Sequence, residues 1–151
     1  MEQPVVTGIH DIHQQIWVLQ GKSLIATSQS DGVIPVKLDI LPCRSTDSLE
    51  GNKGNPIYIG IKDHLLCLSC VESEGHAILK LEKKDIMELY NTQKAEKSFV
   101  FYQNATDSTS TFESAAYPGW FICTSVEKRK PIGMTEDLGK DNIAFYLDFR
   151  A

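Results

Sequence analysis

The sequence predicts an all-β domain, built either as a barrel or as a sandwich-like pair of sheets. Three observations support this. Val36-Lys37-Leu38-Asp39-Ile40 alternates apolar and charged side chains with period two, the pattern of a half-buried strand. Turn residues fall at short, regular intervals between such runs: Gly21-Lys22, Asp31-Gly32, Lys62-Asp63, Glu74-Gly75, Pro118-Gly119 and Leu138-Gly139. Only one segment carries a helical period. Roughly ten to twelve short strands at this spacing specify a β architecture.

Taken in order, the apolar run Ile16–Leu19 is the first clear strand and Val36–Ile40 the next. Arg44–Asn55 (RSTDSLEGNKGN) is polar and glycine-rich, and reads as a long exposed loop. Ile57–Ile61 and Leu65–Val71 resume strand, followed by the alternating run Ala77–Glu82. In Asp85-Ile86-Met87-Glu88-Leu89-Tyr90, the residues Ile86, Leu89 and Tyr90 share one face at i, i+3 and i+4 behind an acidic start. A short helical turn plugging the core between strands is expected near residues 85–90. Phe99–Tyr102, Trp120–Cys123 and Ala144–Phe149 complete the strand set. Leu24–Ser28, Leu66–Cys70 and Phe121–Ser125 share a pattern of three apolar residues, a hydroxyl residue, then Ser or Cys, about a third of the chain apart. This hints at threefold repetition.

A chain of 151 residues is one domain's worth and buries about 70% of its extended surface, enough for a core without staples. Fifteen basic against twenty acidic side chains leave a net charge of -5. The basic runs Lys83-Lys84 and Lys128-Arg129-Lys130 are short, so neither nucleic acid nor heparin is an expected partner. No apolar stretch reaches the roughly 18 residues of a membrane helix, so membrane insertion is not expected. The opening Met1-Glu2-Gln3-Pro4-Val5-Val6-Thr7-Gly8 lacks a basic, then apolar, leader pattern, and cytosolic synthesis is expected.

Residues suited to catalysis are sparse. Cys67-Leu68-Ser69-Cys70 matches C-x-x-C, but inside a strand the two thiols point to opposite faces, and no second pair completes a zinc site. All four cysteines, Cys43, Cys67, Cys70 and Cys123, lie in apolar runs and read as reduced packing thiols. His10 and His13 flank Asp11 at the N-terminal edge and read as surface histidines. His64 and His76 read as turn residues. There is no G-x-S-x-G and no phosphate-cradling glycine loop. Neither an enzyme, a metal nor a cofactor is expected. Asn104-Ala105-Thr106 is a sequon expected to stay unmodified.

Phe112-Glu113-Ser114-Ala115-Ala116-Tyr117-Pro118-Gly119-Trp120-Phe121-Ile122 resembles the F-x-S-x-x-x-P-x-W-F-[IL] signature of the interleukin-1 cytokine family. Gln15–Gln20, Gly54–Gly60, Asp85–Tyr90 and Lys97–Tyr102 resemble the interleukin-36 subgroup in the same order. The resemblance covers nearly the whole chain. It implies a β-trefoil of twelve strands in three pseudo-repeats, spanning residues 1–151, with residues 1–8 a flexible N-terminal segment. It implies a monomeric, leaderless cytokine, made in the cytoplasm and released without a signal peptide. Its implied partners are an interleukin-36-type receptor and the interleukin-1 receptor accessory protein. The alternative of a receptor antagonist stays open, since Phe112–Thr124 and Ile86–Tyr90 lean toward that subgroup member. A lectin-like or inhibitory β-trefoil module is the alternative of another class.

Two features resemble the agonists. Ile9 and Asp11 match an aliphatic-x-Asp landmark, upstream of which such cytokines are trimmed. Thr135-Glu136-Asp137-Leu138-Gly139-Lys140 matches a T-x-E-L-G-K hairpin, with Asp137 in place of the usual glutamate. Ile9 stands so close to Met1 that the chain is expected to be near its active length, either natively or as a processed form with an added methionine. For the accessory chain, the resemblance and the exposure of turns point to Lys62, Asp63 and His64. They also point to a Glu136–Asn142 hairpin comprising Glu136, Asp137, Leu138, Gly139, Lys140, Asp141 and Asn142. Glu2, Gln3, Pro4, Val5 and Val6 are expected to set potency. The Arg44–Asn55 loop is the candidate for the primary receptor.

Overall fold

A computed structural model of the chain describes residues 3–30, 32–44, 46–47, 49 and 51–149. The first stretch is β1 (Val5–Asp11), β2 (Gln15–Gln20), β3 (Ser23–Ser28) and β4 (Leu38–Pro42). The second is β5 (Asn55–Ile61), β6 (Leu66–Ser73), β7 (His76–Lys83), the helix α1 (Ile86–Tyr90), a 3-10 turn at Lys97–Phe99, and β8 (Val100–Thr106). The third is β9 (Thr109–Ser114), β10 (Phe121–Cys123), β11 (Lys130–Pro131), β12 (Gly133–Thr135) and β13 (Phe145–Phe149). β11 and β12 are two halves of one extended run parted at Ile132, whose N–H still donates to the carbonyl of Leu24 at 2.9 Å. Counted as one strand, they leave twelve.

Pairing closes six of these into a barrel. β1 pairs with β4, β4 with β5, β5 with β8, β8 with β9, β9 with β13, and β13 returns to β1. The other strands form hairpins that cap one end: β2 with β3, β6 with β7, and β10 with β12. Each hairpin joins its barrel strand at an equivalent bridge: His10↔Ile16, Gly60↔Cys67 and Glu113↔Phe121. The molecule is a β-trefoil.

The bridges also correct the repeat read from sequence. Leu66–Cys70 and Phe121–Ser125 do start on equivalent strands, β6 and β10, but one residue out of register, since Cys67 and not Leu66 is the equivalent of Phe121. Leu24–Ser28 lies on β3, the other arm of its hairpin, and the true counterpart is Ile16-Trp17-Val18-Leu19 on β2. Short hydroxyl-rich strand patterns recur on both arms of a hairpin, so the pattern alone misassigns the arm. With the arms aligned, Trp17, Leu68 and Ile122 become equivalent, and all three are buried in one core. Ile9, Ile59 and Phe112 form an equivalent layer inside the barrel. Phe145 packs edge-on against Trp17 at 5.4 Å between ring centres and beside Phe112 at 6.2 Å.

The expected helical turn is present. Asp85 caps α1 by accepting a hydrogen bond from the Met87 N–H at 2.9 Å, and Ile86 and Leu89 are buried against Tyr58, Cys67 and Val100. Val36 and Lys37, read as strand, precede β4, because β1 pairs only with Leu38–Ile40 on that side. β1 itself starts at Val5. Residues 5–8, read as part of a flexible segment, are therefore strand: Val5 and Val6 pair with Ile40 and Asp39, and Thr7 and Gly8 with Phe149 and Asp148. The β4–β5 loop closes tightly on β8. Gly54 sits at φ 129°, where a Cβ would lie 2.7 Å from the Gln103 carbonyl oxygen, so glycine is required.

Leu68 is fully buried at the pseudo-threefold core. Leu68→Ala is expected to lower unfolding stability by roughly 2–5 kcal/mol, measured as a lower midpoint at unchanged slope in guanidinium denaturation.

Candidate functional site

The sequence-selected residues fall into two separate regions of the rim where barrel meets cap. In the first, the β5–β6 turn is closed by the His64 N–H donating to the Ile61 carbonyl at 3.1 Å, with Asp63 at φ 69°. Asp63 and His64 are exposed. Lys62 reaches the Asp63 carboxylate at 3.4 Å on the surface. Pro4 lines the same groove as Asp63, His64 and Leu65, so the structure brings this one of the N-terminal candidates to the turn. Gln3 and Val5 are exposed, Pro4 and Val6 half-buried, and Glu2 lies outside the described residues. Asp39 also lines the groove, and burial raises its carboxyl above the ordinary range despite nearby Lys62. A second groove runs from Lys62–His64 to the exposed Ile34 and Pro35.

The second region is the segment between β12 and β13. It is not a hairpin, because β12 pairs with β10 whereas β13 pairs with β1 and β9. It is a loop turned by local bonds: the Asp137 N–H donates to Thr135 Oγ1 at 3.0 Å, and the Gly139 N–H to Asp137 Oδ1 at 3.2 Å. Glu136, Asp137, Leu138, Gly139 and Lys140 are exposed and Asp141 is half-exposed. Asn142 is different. It is 6% exposed and bridges Thr124 through two backbone hydrogen bonds of 2.9 Å, so it anchors the loop and offers a partner little surface. No hydrogen bond or ion pair joins this loop to Lys62–His64 among the described residues.

Beneath the loop lies Asp11, 0% exposed. Its Oδ1 accepts the backbone N–H groups of His13 and Gln15 at 2.9 and 3.0 Å. Its Oδ2 accepts Gln15 Nε2 at 2.9 Å, Thr124 Oγ1 at 2.6 Å and Asn142 Nδ2 at 3.3 Å. Ile9 is likewise buried, so the landmark pair marks the inside of the barrel wall and is not a docking surface. Sequence reading missed Gln15, Thr124 and Asn142 as members of this network. Their types are ordinary donors, and only the fold brings them within reach of one carboxylate.

His10, read as a surface histidine, is built into β1. It is 21% exposed, meets Asp148 Oδ2 at 2.9 Å, and stacks on Tyr146 at 4.9 Å. The Arg44–Asn55 loop is partly tied down: the Arg44 guanidinium lies over the Tyr90 ring at 5.6 Å, and Lys53 reaches Glu113 at 3.4 Å. Among the described residues no cluster of three or more His, Cys, Asp or Glu is placed to hold a metal.

A closed barrel carrying exposed loops around its rim defines a β-trefoil binding protein. Comparison with known proteins places it more closely. The family model for interleukin-1/18 matches residues 27–147. Human interleukin-36 alpha is 43% identical over 94% of this chain and 90% of its own length, and mouse interleukin-36 beta is 45% identical over 93% and 77%. The mouse interleukin-36 receptor antagonist is 44% identical over 66% of this chain and 61% of its own. The NMR structure of the pro-inflammatory cytokine interleukin-36 alpha superposes with a TM-score of 0.84 at 42% identity, covering 98% of this chain and 94% of that one. Chicken interleukin-1 beta superposes equally well, at 0.84 and 33% identity, with 97% of each chain covered. The chain belongs to the interleukin-1 family. It is an interleukin-36-like cytokine, an extracellular signalling protein that acts by binding a receptor and not by catalysis.

The thiols fit that description. Cys67 and Cys70 point into different cores, Cys67 beside α1 and Cys70 toward Leu68 and Phe112. Burial, which penalises the charged thiolate, raises all four from the ordinary 9.0: Cys43 and Cys123 to about 11, Cys67 to about 12, and Cys70 in the same direction. The folded state therefore holds its thiol protons to higher pH than the unfolded chain. Their contribution to stability is fully present below about pH 9 and is lost as pH rises toward about 12. The native protein at pH 8 is expected to resist iodoacetamide at all four cysteines while the guanidinium-unfolded chain is alkylated at each. Mass spectrometry would read this, and rapid native labelling of Cys67 or Cys70 would overturn it.

Proposed function

We propose that this cytokine is an agonist that binds an interleukin-36-type receptor, recruits the interleukin-1 receptor accessory protein and so starts pro-inflammatory signalling. The observation that carries the reading is coverage. Interleukin-36 alpha, described with its solved structure as a pro-inflammatory cytokine, matches 94% of the chain in sequence, whereas the relative named a receptor antagonist matches 66% in sequence. The short, locally turned loop at 136–141 supports it, because an exposed and compact loop leaves room for a second receptor chain beside the first. Glu136–Asp141 and the Lys62-Asp63-His64 turn are the proposed accessory-chain contacts, with Asn142 holding the first of these in place. Glu2–Val6 is proposed to tune potency, with Pro4 lining the groove of Asp63 and His64. The Arg44–Asn55 loop is the proposed contact for the primary receptor.

The chain acts as a monomer, made in the cytosol and released without a signal peptide. Four free, buried thiols suit synthesis in a reducing compartment.

Purified protein applied to cells bearing the cognate receptors is expected to signal alone, and to lose that signal without losing primary-receptor binding when six residues are inserted between Leu138 and Gly139. Blockade of a known agonist by the unmodified protein would instead make it an antagonist. Undiminished signalling by the insertion variant would remove the loop from the accessory-chain contact.

A further inference from the structure

One inward position at the strand ends of the barrel is filled differently in each of the three repeats. Equivalent bridges place Asp11, Ile61 and Ser114 at the same inward position at the ends of β1, β5 and β9. All three are buried to 0–1%. With isoleucine there, the second repeat still closes its turn, the His64 N–H donating to Ile61 at 3.1 Å against 3.0 Å for Gln14 to Asp11. In the second repeat the strand end and the turn are thus formed with an apolar side chain at this position. Thr124 is replaced in the same way, by Leu19 and Cys70 in the other repeats. Burying a carboxylate is unfavourable unless donors surround it, and Asp11 takes part in no ion pair among the described residues. Its five donors come from three separate stretches of chain: its own turn, Thr124 at the end of β10, and Asn142 in the loop before β13.

We propose that Asp11 is a positioning residue for the 136–144 loop, holding it against the barrel through Asn142 and Thr124. The loop's internal bonds shape its tip and, among the described residues, tie it to nothing else. Its fastening to the barrel wall is the Thr124–Asn142 bridge, and the Asn142 amide that keeps this bridge in register donates both to Asp11 Oδ2 and to Thr124 Oγ1, at 3.3 Å each. The first strand of the chain therefore sets the position of a loop more than a hundred residues away in sequence. The proposal deepens the accessory-chain reading and rests on it only for the binding consequence.

The test is Asn142→Ala, which leaves Asp11 its other four donors and the barrel its strands. Backbone amide exchange by NMR is expected to quicken at least tenfold at Thr124 and Asn142, while Phe101 and Phe112 in the barrel stay within twofold of the parent. Capture of the accessory chain by the primary complex is expected to weaken about tenfold, with primary-receptor affinity within twofold. Unchanged exchange at Thr124 and Asn142 would overturn the proposal, and so would an equal rise throughout the barrel. Local quickening with undiminished capture would leave the positioning role standing and would instead refute the accessory-chain assignment of the loop. Asp11→Asn serves as the second variant. It keeps an oxygen for the His13 and Gln15 amides but turns an NH₂ toward Asn142, and it is expected to reproduce the local quickening.

Discussion

Closing the barrel requires the first strand of the chain to meet the last, and the β1–β13 seam is the constraint on which the rest depends. Five consecutive residue pairs, from Thr7↔Phe149 to Asp11↔Phe145, form that seam. Without it the sheet would have two exposed edges, and the inward layer of Ile9, Ile59 and Phe112 would face water. The seam is also the costliest contact to form, because the whole chain must be looped before it gains anything. Side chains reinforce it on both faces. His10 meets Asp148 and stacks on Tyr146 outside, while inside Phe145 packs against Trp17 and Phe112. Asp11 stands at the end of the seam, where β1 turns away into the cap.

Rigidity of this wall is what holds the short loops of the rim in one shape. A cytokine makes and breaks no bond, so its specificity lies in the shape it presents, and a loop that samples many shapes binds weakly because ordering it costs free energy. The 136–141 loop is kept short and cross-linked by Thr135 and Asp137, then pinned at Asn142. The 62–64 turn is fixed by two backbone bonds, Lys62 N–H to the Lys37 carbonyl and His64 N–H to that of Ile61, and by a left-handed Asp63. The Arg44–Asn55 loop is steadied at its ends by Arg44 on Tyr90 and by the glycine that lets residue 54 press on β8. The 136–141 loop and the 62–64 turn are thus ordered features carried by buried groups close behind them.

Much of the fold was legible because strands and turns leave local signals. Alternation located β4, β7 and β13, apolar runs located β2, β5, β8 and β10, and the acid before Ile86 and Leu89 located the helix cap. β1 and β9 left weaker signals: VVTGIHD and TSTFES carry Thr7, Asp11, Ser110 and Ser114 inward, where an apolar pattern would be sought. Pairing was not legible at all. Nothing local says that β12 pairs with β10 and not with β13, so the residues of 136–142 offered no check on the hairpin that the resemblance implied. The same gap put the repeat on the wrong arm of the first hairpin. Resemblance supplied the topology that periodicity could not, but it marked Ile9 and Asp11 as a landmark for trimming without indicating that both are interior.

The three repeats make it possible to separate what the fold needs from what this protein needs. Where all three agree, as at Trp17, Leu68 and Ile122 or at Ile9, Ile59 and Phe112, the shared feature is a large apolar side chain, and it serves the core. Where they differ at a buried position, the fold has shown that it tolerates alternatives, so the particular residue answers to something else. Asp11 against Ile61 and Ser114 is such a difference. The Ser114 hydroxyl accepts the Tyr117 N–H at 3.0 Å and meets the Cys70 thiol of the second repeat, whereas Asp11 also takes the Asn142 amide of the loop before β13. A threefold-symmetric barrel would present three equivalent rims to a partner. One buried carboxylate with donors from distant strands makes one rim unlike the others, and a protein that must be gripped in a single orientation requires that asymmetry.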